Sequence, residues 1–170
     1  MKYLALSFII LLSSVACTSK QPTNKPSLIP NKSQQGEEAM SFPKNVEEYI
    51  GKETMAALKK AKTGESYKVG SKKSDSGKLL AGYPILEKGK DLTSGQIKTL
   101  TTILLDSKSF VFPTAKKVMF LPKYGFKLDE VIVLIDSTHQ MVSIPVGDKS
   151  NVEDYDPIQK KIDTLISDLF

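Results

Sequence analysis

The stretch YGFKLDEVIVLIDSTHQMVSI, residues 124–144, contains three apolar runs that are separated by short polar connections. The middle run, VIVLI at 131–135, is β-branched and continuously apolar, which is typical of a central strand covered on both faces. The flanking runs at 124–128 and 140–144 alternate as half-buried strands do. Connections this short force neighbouring strands to be antiparallel, so the stretch predicts a β-meander.

Other segments add to this sheet. We predict further strands at residues 65–69 and 117–121. The segment 79–86 is apolar but contains Gly82 and Pro84, so it suits either an edge strand or an irregular packing segment.

Three segments have the apolar spacing of amphipathic helices. Gly51 is placed to split the first in two. The second begins with Thr93 as N-cap and Gln96 three residues later, which is the pair of a capping box. The third begins with Asp156 as N-cap and Pro157 at the first helical position, and its apolar stripe suits a helix that covers the sheet. The segments are residues 45–62, 91–105 and 156–170.

Residues 44–170 have a length that suits one domain with one core. We find no internal repeat at solenoid periods in the chain. The prediction is therefore a single α+β domain. Its antiparallel meander sheet would have about four to five strands, packed by about two to three helices that include a C-terminal amphipathic helix.

The chain begins with the layout of a secretory signal peptide. Lys2 precedes an apolar run, LALSFIILL at residues 4–12, and small residues at 13–16 lead into Cys17. The run has about half of the ~20 residues that a membrane-spanning helix needs. With a cysteine directly after the small residues, SSVAC resembles the lipobox of bacterial lipoproteins, although Ser14 stands where leucine is commonest. The alternative is an ordinary cleaved signal that releases a soluble protein.

The lipobox resemblance implies a modification and a location. It implies that the signal peptide at residues 1–16 is removed and that the sulfur of Cys17 carries a diacylglyceryl group. Thr18, and not Asp, follows the cysteine, which is similar to the sorting pattern for the outer membrane. Residues 17–43 contain four prolines and many polar side chains, so they predict a disordered tether. We therefore expect a lipid-anchored protein of the bacterial cell envelope, attached to the membrane through Cys17.

Cys17 is the only cysteine in the chain. Once it carries lipid, no thiol remains for a disulfide, a cysteine nucleophile, a CxxC redox pair or a thiolate zinc site. This reading of Cys17 therefore excludes every function class that depends on a thiol.

Charge is unevenly distributed along the chain. Residues 18–127 hold 20 lysines and 10 acidic residues, whereas residues 128–170 hold 3 lysines and 9 acidic residues. A basic face of this kind could rest on anionic lipid headgroups. The alternative, which the sequence favours, is a solvated lysine-rich surface that keeps the protein soluble.

The polar loop that includes Asp136, Ser137 and His139 is a weak candidate site, since it holds the residue types of a hydrolase triad. A triad needs the base between the nucleophile and the acid, and neighbouring residues of one hairpin loop do not normally reach that geometry. The favoured interpretation is a turn in which Asp136 and Ser137 bond local backbone. We therefore predict no catalytic residue.

Two further patterns also have structural explanations. The acidic run at 153–156 offers oxygen ligands suited to Ca²⁺ or Mg²⁺ but lacks the spacing and glycine of an EF-hand. The stretch 110–127 interleaves aromatic residues and lysines, as surfaces for single-stranded nucleic acids or glycans do, but it also has the pattern of an apolar-in, lysine-out strand. We predict no metal, no cofactor and no nucleic acid partner.

The segment KKVMFLPKYGF, residues 116–126, is similar to part of a group of uncharacterised bacterial proteins. The shared pattern is a Pro-x-x-Gly turn followed by an apolar strand, with cysteines nearby. This chain has Val118, Asp136 and His139 where those cysteines would align. No thiol-dependent role of such relatives would therefore carry over, and the resemblance names no function.

The sequence thus predicts an envelope lipoprotein that acts as a non-catalytic binding or structural module, with an envelope protein or a glycan as its partner. One alternative is an immunity or inhibitor protein whose acidic part, residues 128–170, covers a basic toxin or enzyme. The other is an envelope hydrolase that works through carboxylates or His139.

Overall fold

The computed structural model describes residues 43–112, 116–147 and 151–170. Within these ranges there are three α-helices, seven strands and two short 3-10 turns, at Ser107–Ser109 and Asp156–Ile158. In chain order the helices and strands are α1 (Val46–Lys60), β1 (Gly64–Val69), β2 (Leu79–Leu80), β3 (Tyr83–Lys88), α2 (Ser94–Leu105), β4 (Tyr124–Leu128), β5 (Val131–Asp136), β6 (Met141–Ser143), β7 (Val152–Asp154) and α3 (Gln159–Leu169).

The strands join in one antiparallel sheet with the order β2-β3-β1-β4-β5-β6-β7. Strand β1 lies between β3 and β4, so the connection through α2 passes from one side of β1 to the other. The predicted α+β class, antiparallel sheet and C-terminal helix are confirmed. The predicted number of strands is wrong, because the described part of the chain has seven.

The strand predicted at 117–121 does not form. Strand β4 is already paired on both sides, by β1 and β5, so no edge of β4 is open to this segment. The backbone N–H of Leu121 instead donates to the Asp136 carboxylate at 2.9 Å. Val118 and Met119 are left 50% and 74% exposed.

Two other parts of the sheet, the hairpin of β2 and β3 and the strand β7, were not fully predicted from the sequence. The segment 79–86 forms the hairpin of β2 and β3, because Ala81 and Gly82 both have positive φ, which a tight two-residue hairpin turn requires. Strand β2 is an edge strand, as one of the two interpretations expected. Strand β7 is not predicted by the sequence, in which Glu153 and Asp154 belong to an acidic run just before a helix.

The helix starts follow local capping chemistry. The Asn45 side chain accepts from the Glu48 N–H at the start of α1, and Gly51, with φ of 78°, interrupts the helix as predicted. The Thr93–Gln96 capping box of α2 is present in both directions.

The predicted N-cap of the last helix is wrong. Asp156 and Pro157 belong to the 3-10 turn that precedes α3, and neither this turn nor α3 has a side-chain cap. The Asp156 carboxylate instead pairs with the Lys116 ammonium at 2.7 Å. Proline fixes φ at a value that suits either kind of helical turn, so its position alone does not distinguish them.

The main core lies between the helices and one face of the sheet, and a smaller core lies on the other face. Strand β5 contributes Val133 and Ile135 to the first and Leu134 to the second, so the prediction of a strand covered on both faces is confirmed. No helix in the described ranges is long and apolar enough to cross a membrane. Residues 1–42, which hold the predicted signal peptide, Cys17 and nearly all of the tether, lie outside these ranges.

Candidate functional site

Asp136 organises the loop that follows β5. Its side chain is fully buried, and its Oδ1 accepts from the backbone N–H groups of Thr138 and His139 at 3.0 and 3.1 Å. Its Oδ2 accepts from the Leu121 N–H at 2.9 Å. One carboxylate therefore holds its own turn, as the turn interpretation expected, and also the segment before β4.

The Asp136 carboxylate also contacts the imidazole of His139. His139 Nδ1 lies 2.8 Å from Asp136 Oδ2. Burial by itself would raise the pKa of Asp136, but hydrogen bonds from His139 and from three backbone N–H groups outweigh it and hold that pKa below its ordinary value. Asp136 is thus a stable anion that fixes the orientation of the imidazole.

Lys116 ties this loop to the start of the last helix. Its ammonium donates to the His139 carbonyl and to the Asp156 carboxylate, both at 2.7 Å. These contacts cross from the loop after β5 to the turn before α3, so the two segments are held in one arrangement.

Ser137 lies on the wall of an open cleft of about 440 Å³. Side chains from β1, β4 and α3 form the other walls. The polar and aromatic residues of the lining are Lys68, Tyr124, Ser137, Asp163, Ser167 and Phe170.

The aromatic part of the cleft is made by Tyr124 and Phe170. Their ring centroids are 5.3 Å apart and the rings are tilted by 44°. The Lys68 ammonium lies 5.2 Å from the centroid of Phe170, which is within the range of a cation–π contact, and it also pairs with Glu87 at 2.8 Å. Gly89 makes room for Phe170, because a Cβ at that position would lie 2.5 Å from the Phe170 ring.

The sequence did not indicate this cleft. Only Ser137 belonged to a predicted candidate site. Lys68 comes from β1, whereas Asp163 and Ser167 come from α3, which lies far from β1 in the chain. The interleaved aromatic–lysine pattern at 110–127 was the one signal for Tyr124. Its partner Phe170 lies outside that stretch.

The polar loop holds part of a catalytic arrangement. Asp136 and His139 have the geometry of an acid that orients a base. Throughout the described ranges, however, no hydrogen bond joins Ser137 to His139, and Ser137 lines the cleft together with residues of α3.

The acidic run at 153–156 is divided between different surroundings. Glu153 and Asp154 are buried on β7, at 2% and 5% exposure, while Asp156 pairs with Lys116. Burial, with a contribution from Asp154, raises the pKa of Glu153 to about 7. Burial also raises the pKa of Asp154.

No set of three or more metal-ligating side chains converges in the part of the chain that the structure describes. The lining of the cleft offers two aromatic rings, two hydroxyls, a carboxylate and an ammonium as groups that could contact a ligand. Pockets with an apolar wall and a few placed polar groups are typical of small-molecule sites. Comparison of the chain with protein-family models, curated proteins and solved structures gave no match.

Proposed function

We propose that this protein is a lipid-anchored protein of the bacterial cell envelope whose α+β domain binds a glycan without catalysing a reaction. The observation that carries the proposal is the lining of the cleft. Tyr124 and Phe170 offer an apolar ring surface, and Ser137, Asp163 and Ser167 offer hydrogen-bonding groups beside it. A sugar ring has the complementary shape, with C–H groups on its faces and hydroxyls around its edge.

The anchoring part of the proposal rests on the sequence around Cys17. A charged start, an apolar run and small residues before the cysteine are together typical of a lipoprotein signal. Each buried methylene of an acyl chain contributes about 0.8 kcal/mol to membrane binding, so two or three chains would hold the protein firmly. A disordered tether at residues 17–43 would let the domain reach about 25–30 Å from the membrane.

Binding to soluble peptidoglycan fragments tests the cleft. The full chain in detergent micelles would be titrated with the fragments by calorimetry, alongside Asp163→Asn and its matched control Asp168→Asn, which lies on the same helix outside the cleft lining. A hydrogen bond to a charged group contributes on the order of 1.5–3 kcal/mol, so Asp163→Asn should weaken binding by about tenfold or more. Absence of binding by the wild-type chain, or an equal loss in both variants, would reject the cleft as a glycan site.

The hydrolase alternative has one specific observation in its favour, the contact between His139 and Asp136. If it holds, the chain should cleave the same fragments, and His139→Ala should abolish cleavage while binding persists. Fragments that are bound but recovered intact would favour the binding module.

The immunity-protein alternative depends on the acidity of residues 128–170. Asp136, Glu153 and Asp154 are buried, so the acidic surface of this part is smaller than its sequence indicates. Salt-sensitive co-purification with a basic protein, lost when Asp163 and Asp168 are changed to Asn, would support this alternative over the glycan cleft.

A further inference from the structure

The segment that leads into the last helix, residues 152–155, concentrates buried polar atoms that lack a hydrogen-bond partner. Glu153, Asp154 and Tyr155 are 2%, 5% and 0% exposed. In the described part of the chain, Glu153 Oε2, Asp154 Oδ1 and the Tyr155 hydroxyl have no hydrogen-bond partner. Buried polar groups are nearly always paired in folded proteins, and an unpaired one costs folding free energy. Three consecutive residues of this kind therefore make the segment a weak point of the fold.

Strand β7, which carries two of these residues, is held by few contacts. It is three residues long and lies beside β6 at one edge of the described sheet. On its outer side, the Val111 N–H donates to the Asp154 carbonyl at 3.0 Å, and after the strand the Tyr155 N–H donates to the Gln140 carbonyl at 2.9 Å. Proteins open locally at short, weakly held elements before they unfold as a whole. The loss of a few hydrogen bonds is therefore enough to release β7 while β4 and β5 stay paired.

The Glu153 side chain lies on the face of the sheet that carries the main core. Residues opposite each other in an antiparallel pair share a face, and Glu153 lies opposite Val142, a residue of the main core. The titratable group that α1 places near Glu153 is the Tyr49 hydroxyl, which stays neutral because burial and the Glu153 charge raise its pKa. This hydroxyl donates to the Val142 carbonyl at 2.9 Å, so it does not compensate the Glu153 carboxylate.

Positive charge does not compensate the Glu153 carboxylate either. In the described ranges, no lysine or histidine nitrogen lies within 4.0 Å of a carboxylate oxygen of Glu153 or Asp154. The charge of Lys116 lowers the pKa of Asp154 and that of Asp156 raises it, but burial is the larger effect and the net direction is upward. Burial, with the nearby Asp154 carboxylate, also raises the pKa of Glu153 to about 7. The ionised form of Glu153 is therefore unfavourable while β7 is in place.

We propose that β7 is a pH-sensitive edge strand, which detaches from β6 more readily once Glu153 loses its proton. Detachment lets water hydrate the Glu153 carboxylate and the unpaired oxygen of Asp154. It also uncovers the edge of β6, which is paired with β7 in the closed form. An uncovered strand edge can pair with another chain, so the change alters the surface of the domain as well as its stability. The proposal does not depend on glycan binding in the cleft.

Amide hydrogen exchange in the full chain, held in detergent micelles, tests this proposal. The Tyr155 and Val111 amides report opening on the two sides of β7, since each donates to a partner that opening removes. A pKa that changes from about 7 in the closed strand to the ordinary 4.5 in the open strand increases the opening constant about twentyfold between pH values of about 5.5 and 7.5. After correction for the intrinsic pH dependence of exchange, both amides should lose protection by that factor. The paired amides of β4 and β5 should be about tenfold or more better protected throughout, because they exchange only when more of the sheet opens.

A pair of single variants identifies the group that titrates. Glu153→Gln keeps the size of the side chain but removes its charge at every pH, so the protection of the Tyr155 and Val111 amides should lose most of its pH dependence. Glu130→Gln, in the exposed turn between β4 and β5, is the matched control and should keep the pH dependence of wild type. Circular dichroism would confirm that both variants fold.

Three results would overturn the proposal. Protection of the β7 reporters that does not change with pH in wild type would mean that no titration controls this strand. A change that persists in full in Glu153→Gln would assign the control to another group. Equal protection of the β7 reporters and of the β4 and β5 amides would mean that β7 opens only when the whole domain unfolds.

Discussion

Glu153 shows how a single residue can set the pH dependence of this fold. It lies on β7 opposite Val142 of β6. The Val142 carbonyl accepts a hydrogen bond from the Tyr49 hydroxyl at 2.9 Å. Its Oε2 has no hydrogen-bond partner in the described part of the chain. A buried carboxyl is more stable protonated, and burial together with the nearby Asp154 carboxylate raises the pKa of Glu153 to about 7.

This rise predicts a loss of stability as pH increases. Between the ordinary glutamate pKa of 4.5 and about 7, the folded chain keeps a proton that the unfolded chain releases, so the free energy of unfolding falls through that window. The loss is on the order of 3 kcal/mol. Urea unfolding at several pH values should show that Glu153→Gln flattens the slope of the free energy of unfolding against pH. The variant should also be more stable than wild type at pH above about 7. The raised pKa of Asp154 should leave a smaller slope of the same sign.

The exposed Glu130 provides the control for this measurement. Glu130→Gln, in the turn between β4 and β5, should leave the slope as in wild type. An unchanged slope in Glu153→Gln would show that another group controls the pH dependence.

Asp136 predicts the opposite pH dependence. Its lowered pKa means that its anion stabilises the fold above the ordinary aspartate pKa of 3.8, and that this stability is lost as pH falls through the folded-state value. Asp136→Asn should therefore destabilise the domain at neutral pH by about 1.5–3 kcal/mol, the contribution of hydrogen bonds to a charged group. The difference from wild type should shrink in acid. Thr138→Ala, in the same loop, is the control, and an equal effect of both changes would contradict a special role for the carboxylate.

At the scale of elements, the sequence predicted those strands and helix caps that depend only on residues close together in the chain. The bounds of β4 and β5 and the Thr93–Gln96 capping box follow from local apolar patterns and cap chemistry. Strand β7 was missed because Glu153 and Asp154 lack the apolar alternation of a strand. Their burial depends on β6 and on the elements that cover it, which no local pattern records.

Gly125 shows how closely two elements of the sheet approach. A Cβ at this position would lie 2.3 Å from Leu80 Cδ2 and 3.4 Å from Leu134 Cδ2. Glycine at this position therefore lets strand β4 pass beneath the β2–β3 hairpin without displacing the Leu80 side chain.

Gly125→Ala should accordingly destabilise the domain by about 1–3 kcal/mol through overpacking. Chemical unfolding of the single and double variants would measure it. Combining the change with Leu80→Ala should cost less than the sum of the two single changes, because the alanine Cβ would occupy space that Leu80 vacates. Gly95→Ala, where the nearest atom lies 4.0 Å from the added Cβ, should be neutral or stabilising by up to about 1 kcal/mol. Strict additivity at Gly125 and Leu80 would contradict the proposed contact.

At the scale of the whole molecule, the sequence predicted the class of fold but not the candidate sites. The cleft brings together Lys68 of β1, Ser137 of the loop after β5 and Asp163 of α3. These pairings arise from the order of strands and the packing of helices. Counts of charge along the chain also mislead, because they do not distinguish buried Glu153 from an exposed acid.

The fate of the front of the chain decides where this domain acts. If SSVAC is a lipobox, inhibition of lipoprotein signal peptidase by globomycin should cause an uncut, membrane-bound precursor to accumulate, because cleavage before Cys17 follows lipid transfer to its sulfur. Cys17→Ser should abolish labelling by a radioactive or clickable palmitate analogue, whereas Ser14→Leu, which moves the segment towards the commonest pattern, should retain it. Immunoblotting of membrane and soluble fractions would read both results. Release of wild-type protein into the soluble fraction, at unchanged size with globomycin, would instead indicate an ordinary secretory signal.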